Sequence, residues 1–170
     1  MKAIGLIPSR LKSTRLKNKP LLKLGSIPMV IHTYFRAKMS KYLDEVIICC
    51  DDRKIAEECK KYKAKFIMTS KKHINGTERI AEAYQKLKKN YALILDIQGD
   101  EPLINPKHID EVIKFHKKNF NYDIILPHLN LDHADNTNIV KVITNLKEEV
   151  IYLSRSKLPL EFKKRVKSYK

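Results

Sequence analysis

Cysteine and long apolar runs are both scarce in this sequence. Its three cysteines, Cys49, Cys50 and Cys59, make no disulfide framework, because two of them are adjacent in an apparent strand and point to opposite faces. No window approaches eighteen consecutive apolar residues, which excludes a membrane-spanning helix. The first residues run straight into a strand with no signal peptide before it, so we expect a cytoplasmic protein with no membrane partner.

Acidic residues are absent from the first quarter of the chain, where ten Lys or Arg precede the first acid, Asp44. The formal net charge of the 170 residues is +16 at pH 7, and much of it comes from lysines scattered over predicted helix faces. Zinc-finger spacing, ribonucleoprotein-type aromatics and a helix-turn-helix signature are all missing, which argues against a nucleic-acid partner. The uneven charge instead favours a small anionic substrate drawn towards the start of the chain.

What the sequence does contain is an apolar strand that leads into a cationic loop. Residues 4–7 are apolar and Pro8 ends the run. Ligands of open α/β sheets bind beyond the carboxyl ends of the strands, so this loop suits a polyanion such as a triphosphate. A solvated basic loop is the alternative interpretation. The cations of the loop are Arg10, Lys12, Arg15, Lys17 and Lys19, and its hydroxyl groups are Ser13 and Thr14.

Apolar strands alternate with amphipathic helices along most of the chain. This alternation predicts a single domain over residues 1–170, with a three-layer α/β/α architecture around a mostly parallel sheet. The almost continuous apolar run at 91–97 predicts a central strand that is covered on both faces. The remaining strands are predicted at 45–50, 64–68, 123–126, 139–144 and 150–154, the last two as a hairpin, and helices are predicted to start near Pro28, Asp52, Thr77 and Pro106.

Three loops follow strands of the predicted parallel sheet and should meet at one edge. Residues 8–20 supply cations, residues 69–77 supply small polar groups at a helix N-terminus, and residues 98–102 place Asp100 just beyond a strand. Asp100 could hold a magnesium ion beside a polyphosphate. Each loop alone has a structural explanation as a turn or a helix cap. Together they predict a nucleotide site, with Ser70, Asn75, Gly76 and Thr77 towards the base and ribose.

Four stretches also carry a resemblance to a known family that spans nearly the whole chain. They are Ile-Pro-Ser-Arg at 7–10 with 13–16 and 19–21; 68–70 with His73 and 75–79; Gln-Gly-Asp-Glu-Pro at 98–102; and 138–142 with 152–155. In this order they resemble the N-terminal signature, second nucleotide loop, metal loop and sugar-side segment of the 3-deoxy-manno-octulosonate cytidylyltransferases, or CMP-Kdo synthetases. The resemblance implies a glycosyltransferase-A-like nucleotidyltransferase of the nucleotide-diphospho-sugar transferase type. Such an enzyme couples CTP to Kdo with release of pyrophosphate, for lipopolysaccharide biosynthesis.

The resemblance also implies roles for individual residues. Arg10 and Lys19 would contact the triphosphate as catalytic residues, and Asp100 would be both catalytic and the ligand of Mg²⁺. Gly76 and Thr77 would line the cytosine and ribose pocket. The acid sugar would contact Gln98, Lys141 and Arg155, and the other substrate-binding residues would be Ser13, Arg15, Ser70, Asn75 and Arg79.

The chain departs from the family pattern in three ways. Ser9 replaces the usual alanine, and Lys-Asn at 17–18 stands where proline and glycine are usual. Family members also continue beyond this point, with further sugar-binding residues, much of a homodimer contact and a second magnesium-binding aspartate, so we expect this domain to be incomplete at its C-terminus. Three alternatives stay open: transfer of CMP to another acid sugar of the amino-Kdo or sialic type, a catalytically silent nucleotide-binding fragment, and electrostatic binding of nucleic acid.

Overall fold

A computed structural model describes residues 1–12, 16–130 and 136–158 of the chain. The chain divides into two compact units, Met1–Ile125 and Leu126–Lys170. None of the helices in the described ranges has the length and apolar character needed to cross a membrane. The first unit contains, in chain order, β1 (Ala3–Ser9), a 3₁₀ turn (Lys19–Leu21), β2 (Lys23–Leu24), β3 (Ile27–Pro28), α1 (Met29–Lys38), β4 (Glu45–Cys50), α2 (Arg53–Lys61), β5 (Phe66–Met68), α3 (Gly76–Leu87), β6 (Leu93–Asp96) and α4 (Pro106–Lys118).

A parallel sheet in the order β5-β4-β1-β6 forms the centre of the first unit. β2 and β3 form a separate small antiparallel pair. A helix lies between successive strands of the large sheet, as parallel pairing requires. The predicted α/β architecture with a mostly parallel sheet is therefore confirmed, and the carboxyl ends of its strands lie at one edge.

Alternate residues of β1 and β4 fill two hydrophobic clusters, one on each face of the sheet. Ile7 belongs to the cluster that also holds residues of α1, α2 and α4, whereas Ile4 belongs to the cluster with α3. Cys50 and Cys49 fall in these two clusters respectively, as adjacent strand residues must. The three cysteines are buried and unpaired, and burial raises the pKa of Cys49 to about 12. They act as small hydrophobic side chains, as predicted.

The position predicted for β6 at the centre of the sheet is wrong for the described chain. β6 pairs with β1 and forms an edge of the four-stranded sheet. α3 packs mainly against β1, β4 and β5, and Ile94 of β6 is 38% exposed. The apolar run therefore identified a strand but gave no information on its neighbours.

The second unit contains an antiparallel hairpin of β7 (Lys141–Thr144) and β8 (Val150–Ser154), which confirms the pairing predicted for this segment. The strand predicted at 123–126 is wrong, because these described residues join no ladder. Ile124 is exposed rather than paired within a sheet. Apolar residues alone do not make a strand when no neighbouring strand offers its backbone groups.

Three helices of the first unit begin at capping side chains close to the predicted starts. Asp52 accepts a hydrogen bond from the Lys54 amide (3.0 Å) at the start of α2, and Asn105 accepts one from the Lys107 amide (3.1 Å) at the start of α4. Asn75 caps α3, which begins one residue earlier than the predicted start at Thr77. These caps matter for the site because α2 and α3 begin directly after the loops at the carboxyl edge of the sheet.

Glu45 at the start of β4 should make stability depend on acid pH. Burial alone would raise the pKa of Glu45, but hydrogen bonds from Lys65 Nζ (2.5 Å) and the Tyr91 hydroxyl, with the charges of Lys65 and Lys89, lower it to about 2. A lowered pKa stabilises the fold above the ordinary glutamate pKa of 4.5, and this stabilisation disappears as the pH falls towards 2.

We therefore expect Glu45→Gln to lower the free energy of unfolding at pH 7 by about 2 kcal/mol. The difference from the unchanged chain should shrink steadily below pH 4.5 in urea unfolding curves. Glu57→Gln, at an exposed position of α2, is the matched control and should change little. A Glu45→Gln deficit that stays constant between pH 7 and pH 3 would contradict the assignment.

Candidate functional site

The loops that follow β1, β5 and β6 meet around Pro8, near the carboxyl end of β1. A Cβ atom placed on Gly76 would lie 3.2 Å from Cγ of Pro8. One placed on Gly99 would lie 2.9 Å from the carbonyl oxygen of Pro8. Because Gly76 lies at the end of the second predicted loop and Gly99 lies in the third, the structure brings all three loops together at one sheet edge.

An ion pair joins the first loop to the third. Lys19 Nζ lies against Oδ2 of Asp100, 81 positions further along the chain. Lys19 follows Asn18, which adopts the left-handed conformation (φ 55°) at the start of the 3₁₀ turn. The two side chains are 37% and 49% exposed, so both can reach a ligand. They offer an ammonium group for phosphate oxygens beside a carboxylate for a cation.

The remaining predicted cations of the first loop are only partly described. Arg10 directly follows β1 and is exposed. Ser13 and Arg15 lie outside the described residues, so their predicted roles stay predictions.

A cavity of about 490 Å³ opens at the carboxyl ends of β4 and β5, but its lining does not include Lys19 or Asp100. Lys19 and Asp100 are instead partly exposed side chains of the loops that meet around Pro8.

The second loop is shaped by a reciprocal cap at the start of α3. Asn75 Oδ1 accepts from the Glu78 amide (2.9 Å), and Asn75 Nδ2 donates to Glu78 Oε1 (2.9 Å). Glu78 Oε2 accepts from the amide of Ile74 (3.1 Å). The side chain of Asn75 is thus used within the helix cap, while Gly76 and Thr77 stand at the helix N-terminus with Thr77 exposed.

Glu82 on α3 fixes the other end of the second loop. Its Oε2 accepts from the Ser70 amide (2.7 Å) and contacts His73 Nε2, and its Oε1 lies 2.6 Å from Lys86 Nζ. The hydrogen bonds from Lys86, the Ser70 amide and His73 lower the pKa of Glu82 to about 2. Glu82 is therefore ionised at neutral pH, and the backbone at Ser70 is held in place.

Arg79 was predicted to contact substrate, but its guanidinium is buried and bonded within the protein. It donates to Thr69 Oγ1 (2.7 Å), to the Ser70 carbonyl (3.1 Å) and to Asp51 Oδ2 (3.2 Å). The sequence analysis missed Asp51 and named only its neighbour Asp52, as a helix start. Asp52 caps α2, whereas Asp51 faces inwards and also accepts from the amide of Leu11 (3.0 Å). The sequence did contain a signal for Asp51, because two aspartates stand at 51–52 and a single one is enough to cap α2.

The residues predicted to contact the sugar, Gln98, Lys141 and Arg155, differ in their exposure and in their hydrogen bonds. Gln98 is exposed beyond β6 and donates to Asp96 Oδ1 (2.9 Å). Within the second unit, Lys141 is buried and its ammonium donates to the carbonyl groups of Asn136, Ile139 and Arg155 at 3.0, 3.3 and 2.7 Å. Arg155 is exposed. Contact between the sugar carboxylate and these two cations stays a prediction.

The metal expected at Asp100 has limited protein ligands in the described part of the chain. No group of three His, Cys, Asp or Glu side chains there is arranged to hold a metal ion. Magnesium commonly takes one or two carboxylates and fills its other positions with water and substrate phosphates. A single half-exposed carboxylate beside the cationic loop therefore fits a magnesium ion that arrives with a nucleotide.

Comparison with known proteins shows what this chain is similar to. The sequence model of a protein family described as Cytidylyltransferase matches residues 4–169. The 3-deoxy-manno-octulosonate cytidylyltransferase of Thermodesulfovibrio yellowstonii is 40% identical over 99% of this chain and 69% of its own length. The enzyme of the same name from Zea mays is 39% identical over 93% of this chain and 54% of its own length.

A solved structure extends the similarity to three dimensions. The structure of a CMP:2-keto-3-deoxy-manno-octonic acid synthetase complexed with CTP matches with a TM-score of 0.80 and 31% identity. The match covers 94% of this chain and 66% of the other. It confirms the predicted nucleotidyltransferase fold. The chain spans roughly half to two thirds of the length of these relatives.

The close contact at Pro8 predicts unequal effects of alanine at the two glycines. Gly99→Ala would bring Cβ within 2.9 Å of a backbone oxygen that cannot move alone, so we expect a loss of stability of about 1–3 kcal/mol. Gly76→Ala would meet only the ring of Pro8 at 3.2 Å and should cost less. Urea unfolding of both variants measures the difference. A smaller loss for Gly99→Ala than for Gly76→Ala would contradict this packing.

Proposed function

The chain belongs to the 3-deoxy-manno-octulosonate cytidylyltransferase family, and on that premise we propose that it couples CTP to 3-deoxy-manno-octulosonate (Kdo), giving CMP-Kdo and pyrophosphate. The observation that carries the proposal is the contact of Lys19 with Asp100 where three loops meet around Pro8. The similarity to a synthetase complexed with CTP supports it. The wider role would be in lipopolysaccharide biosynthesis in the cytoplasm, and the active form would be a homodimer.

The reaction requires attack of the anomeric hydroxyl of the sugar on the α-phosphorus of CTP, with pyrophosphate leaving in line. Catalysis of such a step depends on positioning and on neutralising phosphate charge. Arg10, which is exposed, and Lys19, which is partly exposed, are the cations that we propose to neutralise the triphosphate. Asp100 would hold Mg²⁺, which when bound neutralises further phosphate charge. These groups favour the departure of pyrophosphate because they stabilise its negative charge.

The other end of the nucleotide would lie at the start of α3. The first amides of an α-helix have no backbone acceptor within the helix, and at the start of α3 the amide of Glu78 already donates to Asn75, which leaves those of Gly76 and Thr77 as the ones that we propose for the ligand. Thr77 is exposed beside them and can donate or accept a hydrogen bond. Gln98, two residues before Asp100, is one of the described residues that we propose to contact the acid sugar.

One observation favours a second candidate, binding of the nucleotide without turnover. The chain spans 69% and 54% of the lengths of the two relatives compared above. A nucleotide-binding fragment would retain the Lys19–Asp100 contact but lack part of the catalytic machinery. Calorimetry that detects CTP binding in the absence of any pyrophosphate release would identify this case.

Asp100→Asn tests the proposed catalytic role directly. The substitution keeps the size of the side chain but removes its charge, so pyrophosphate release with CTP, Mg²⁺ and Kdo should fall by about 100-fold or more in kcat/KM. Asp123→Asn, at an exposed position after α4, is the matched control and should retain full activity.

Equal activity of Asp100→Asn and the unchanged chain would remove Asp100 from the mechanism. Amino-Kdo and a sialic acid, assayed in parallel with Kdo, identify the sugar. If either of them gives a higher kcat/KM than Kdo, that sugar becomes the proposed substrate in place of Kdo, and the proposal of cytidylyl transfer is unchanged.

A further inference from the structure

Asp51 and Arg79 form a buried ion pair that the proposed reaction does not use. Their side chains are 10% and 3% exposed, so neither can contribute its charge directly to a ligand. A buried ion pair gains little net stability, because removing two charges from water costs about as much as their attraction returns. The function of this pair is therefore better inferred from its hydrogen bonds than from its contribution to stability.

The hydrogen bonds of the pair connect separate segments around the site. Arg79, on α3, donates to Thr69 and Ser70 of the second loop and to Oδ2 of Asp51. The other carboxylate oxygen of Asp51, Oδ1, accepts from the amide of Leu11 in the first loop. One guanidinium and one carboxylate thus link the cationic loop to the loop that precedes α3.

Each contact lies next to a residue of the proposed site. Leu11 directly follows Arg10, so its anchored amide limits where the backbone of Arg10 can go. Thr69 also donates to the carbonyl of Cys50 (3.1 Å), which ties the second loop to the end of β4. Ser70 is held from its other side by Glu82. The link is therefore short and has no exposed, flexible member.

We propose that Asp51 and Arg79 are positioning residues that set the separation between the phosphate-binding loop and the base-binding loop. This inference rests on the proposed function for its ligand, CTP, whose two ends would contact the two loops. Lysine is a poor replacement for Arg79, because the guanidinium uses two separate nitrogens, Nη1 towards Thr69 and Ser70 and Nη2 towards Asp51, whereas an ammonium carries all its donors on one atom. Asparagine at position 51 would retain an acceptor for Leu11 but lose the charge that faces Arg79.

Amide hydrogen exchange of the full chain tests the link without any ligand. Arg79→Lys is made on α3, yet it should speed exchange of the Leu11 amide about tenfold, since Asp51 is no longer held in place. The amide of Ile48, which bonds to the Lys65 carbonyl (2.9 Å) in the core, should exchange at its original rate. Arg53→Lys, at an exposed position of α2, is the matched control.

Calorimetry then tests the consequence for binding. In Arg79→Lys and in Asp51→Asn, the affinity for CTP should fall about tenfold, while the affinity for pyrophosphate, which needs only the cationic loop, should change less than threefold. The double variant should lose no more than the larger of the two single losses, because both residues belong to one hydrogen-bonded link. Asp51→Asn is nearly isosteric and keeps the test available if Arg79→Lys folds poorly.

The possible failures can be told apart. Unchanged exchange at Leu11 in both variants, or an equal increase at Leu11 and Ile48, would overturn the positioning role whatever the ligand is. Equal losses of CTP and pyrophosphate affinity would also overturn it. Absence of CTP binding to the unchanged chain would instead overturn the proposed function, and the exchange measurement would still decide whether the link exists.

Discussion

The packing of Gly76 and Gly99 against Pro8 is the constraint on which the arrangement of the site depends. A strand, a helix N-terminus and a loop from distant parts of the sequence can approach this closely only because two of the contact positions carry no Cβ. The contact with Gly99 involves the backbone of Pro8, so it cannot be relieved by rotating a side chain. Asp100 is the next residue, and its position beside Lys19 follows from this contact.

Exposure separates the two ion pairs near this contact into different roles. Lys19 and Asp100 are partly exposed, so their mutual attraction is weak in water and either group can turn to a charged ligand. Asp51 and Arg79 are buried, and their hydrogen bonds are directed at loop backbone and at Thr69. The exposed pair, Lys19 and Asp100, therefore presents charges to a ligand. The buried pair, Asp51 and Arg79, holds the loops around those charges in place.

The sequence predicted those features that depend on local pattern. Apolar runs located β1, β4 and β6, and proline or a capping aspartate located the starts of α1, α2 and α4 to within one residue. Predicting three loops at one edge also succeeded, because parallel strands have one direction. The predictions failed where the outcome depends on a neighbouring strand from a distant part of the sequence. β6 is an edge strand rather than a central one, and residues 123–126 do not form a strand. The substrate role of Arg79 came from the family resemblance and stays a prediction, whereas its burial against Asp51 could not be predicted, because burial of a charged residue depends on a partner that is distant in the sequence.

The central claim is that Lys19 and Asp100 belong to one site for the phosphates of a nucleotide. Calorimetric titration of CTP, in the presence of Mg²⁺, into Lys19→Met tests it most directly, because this variant keeps the length of the side chain and removes its charge. Loss of a charge-assisted phosphate contact should weaken binding by about tenfold or more, whereas Lys60→Met, at an exposed position of α2, should bind CTP as the unchanged chain does. Equal CTP affinity in Lys19→Met and Lys60→Met would contradict the claim.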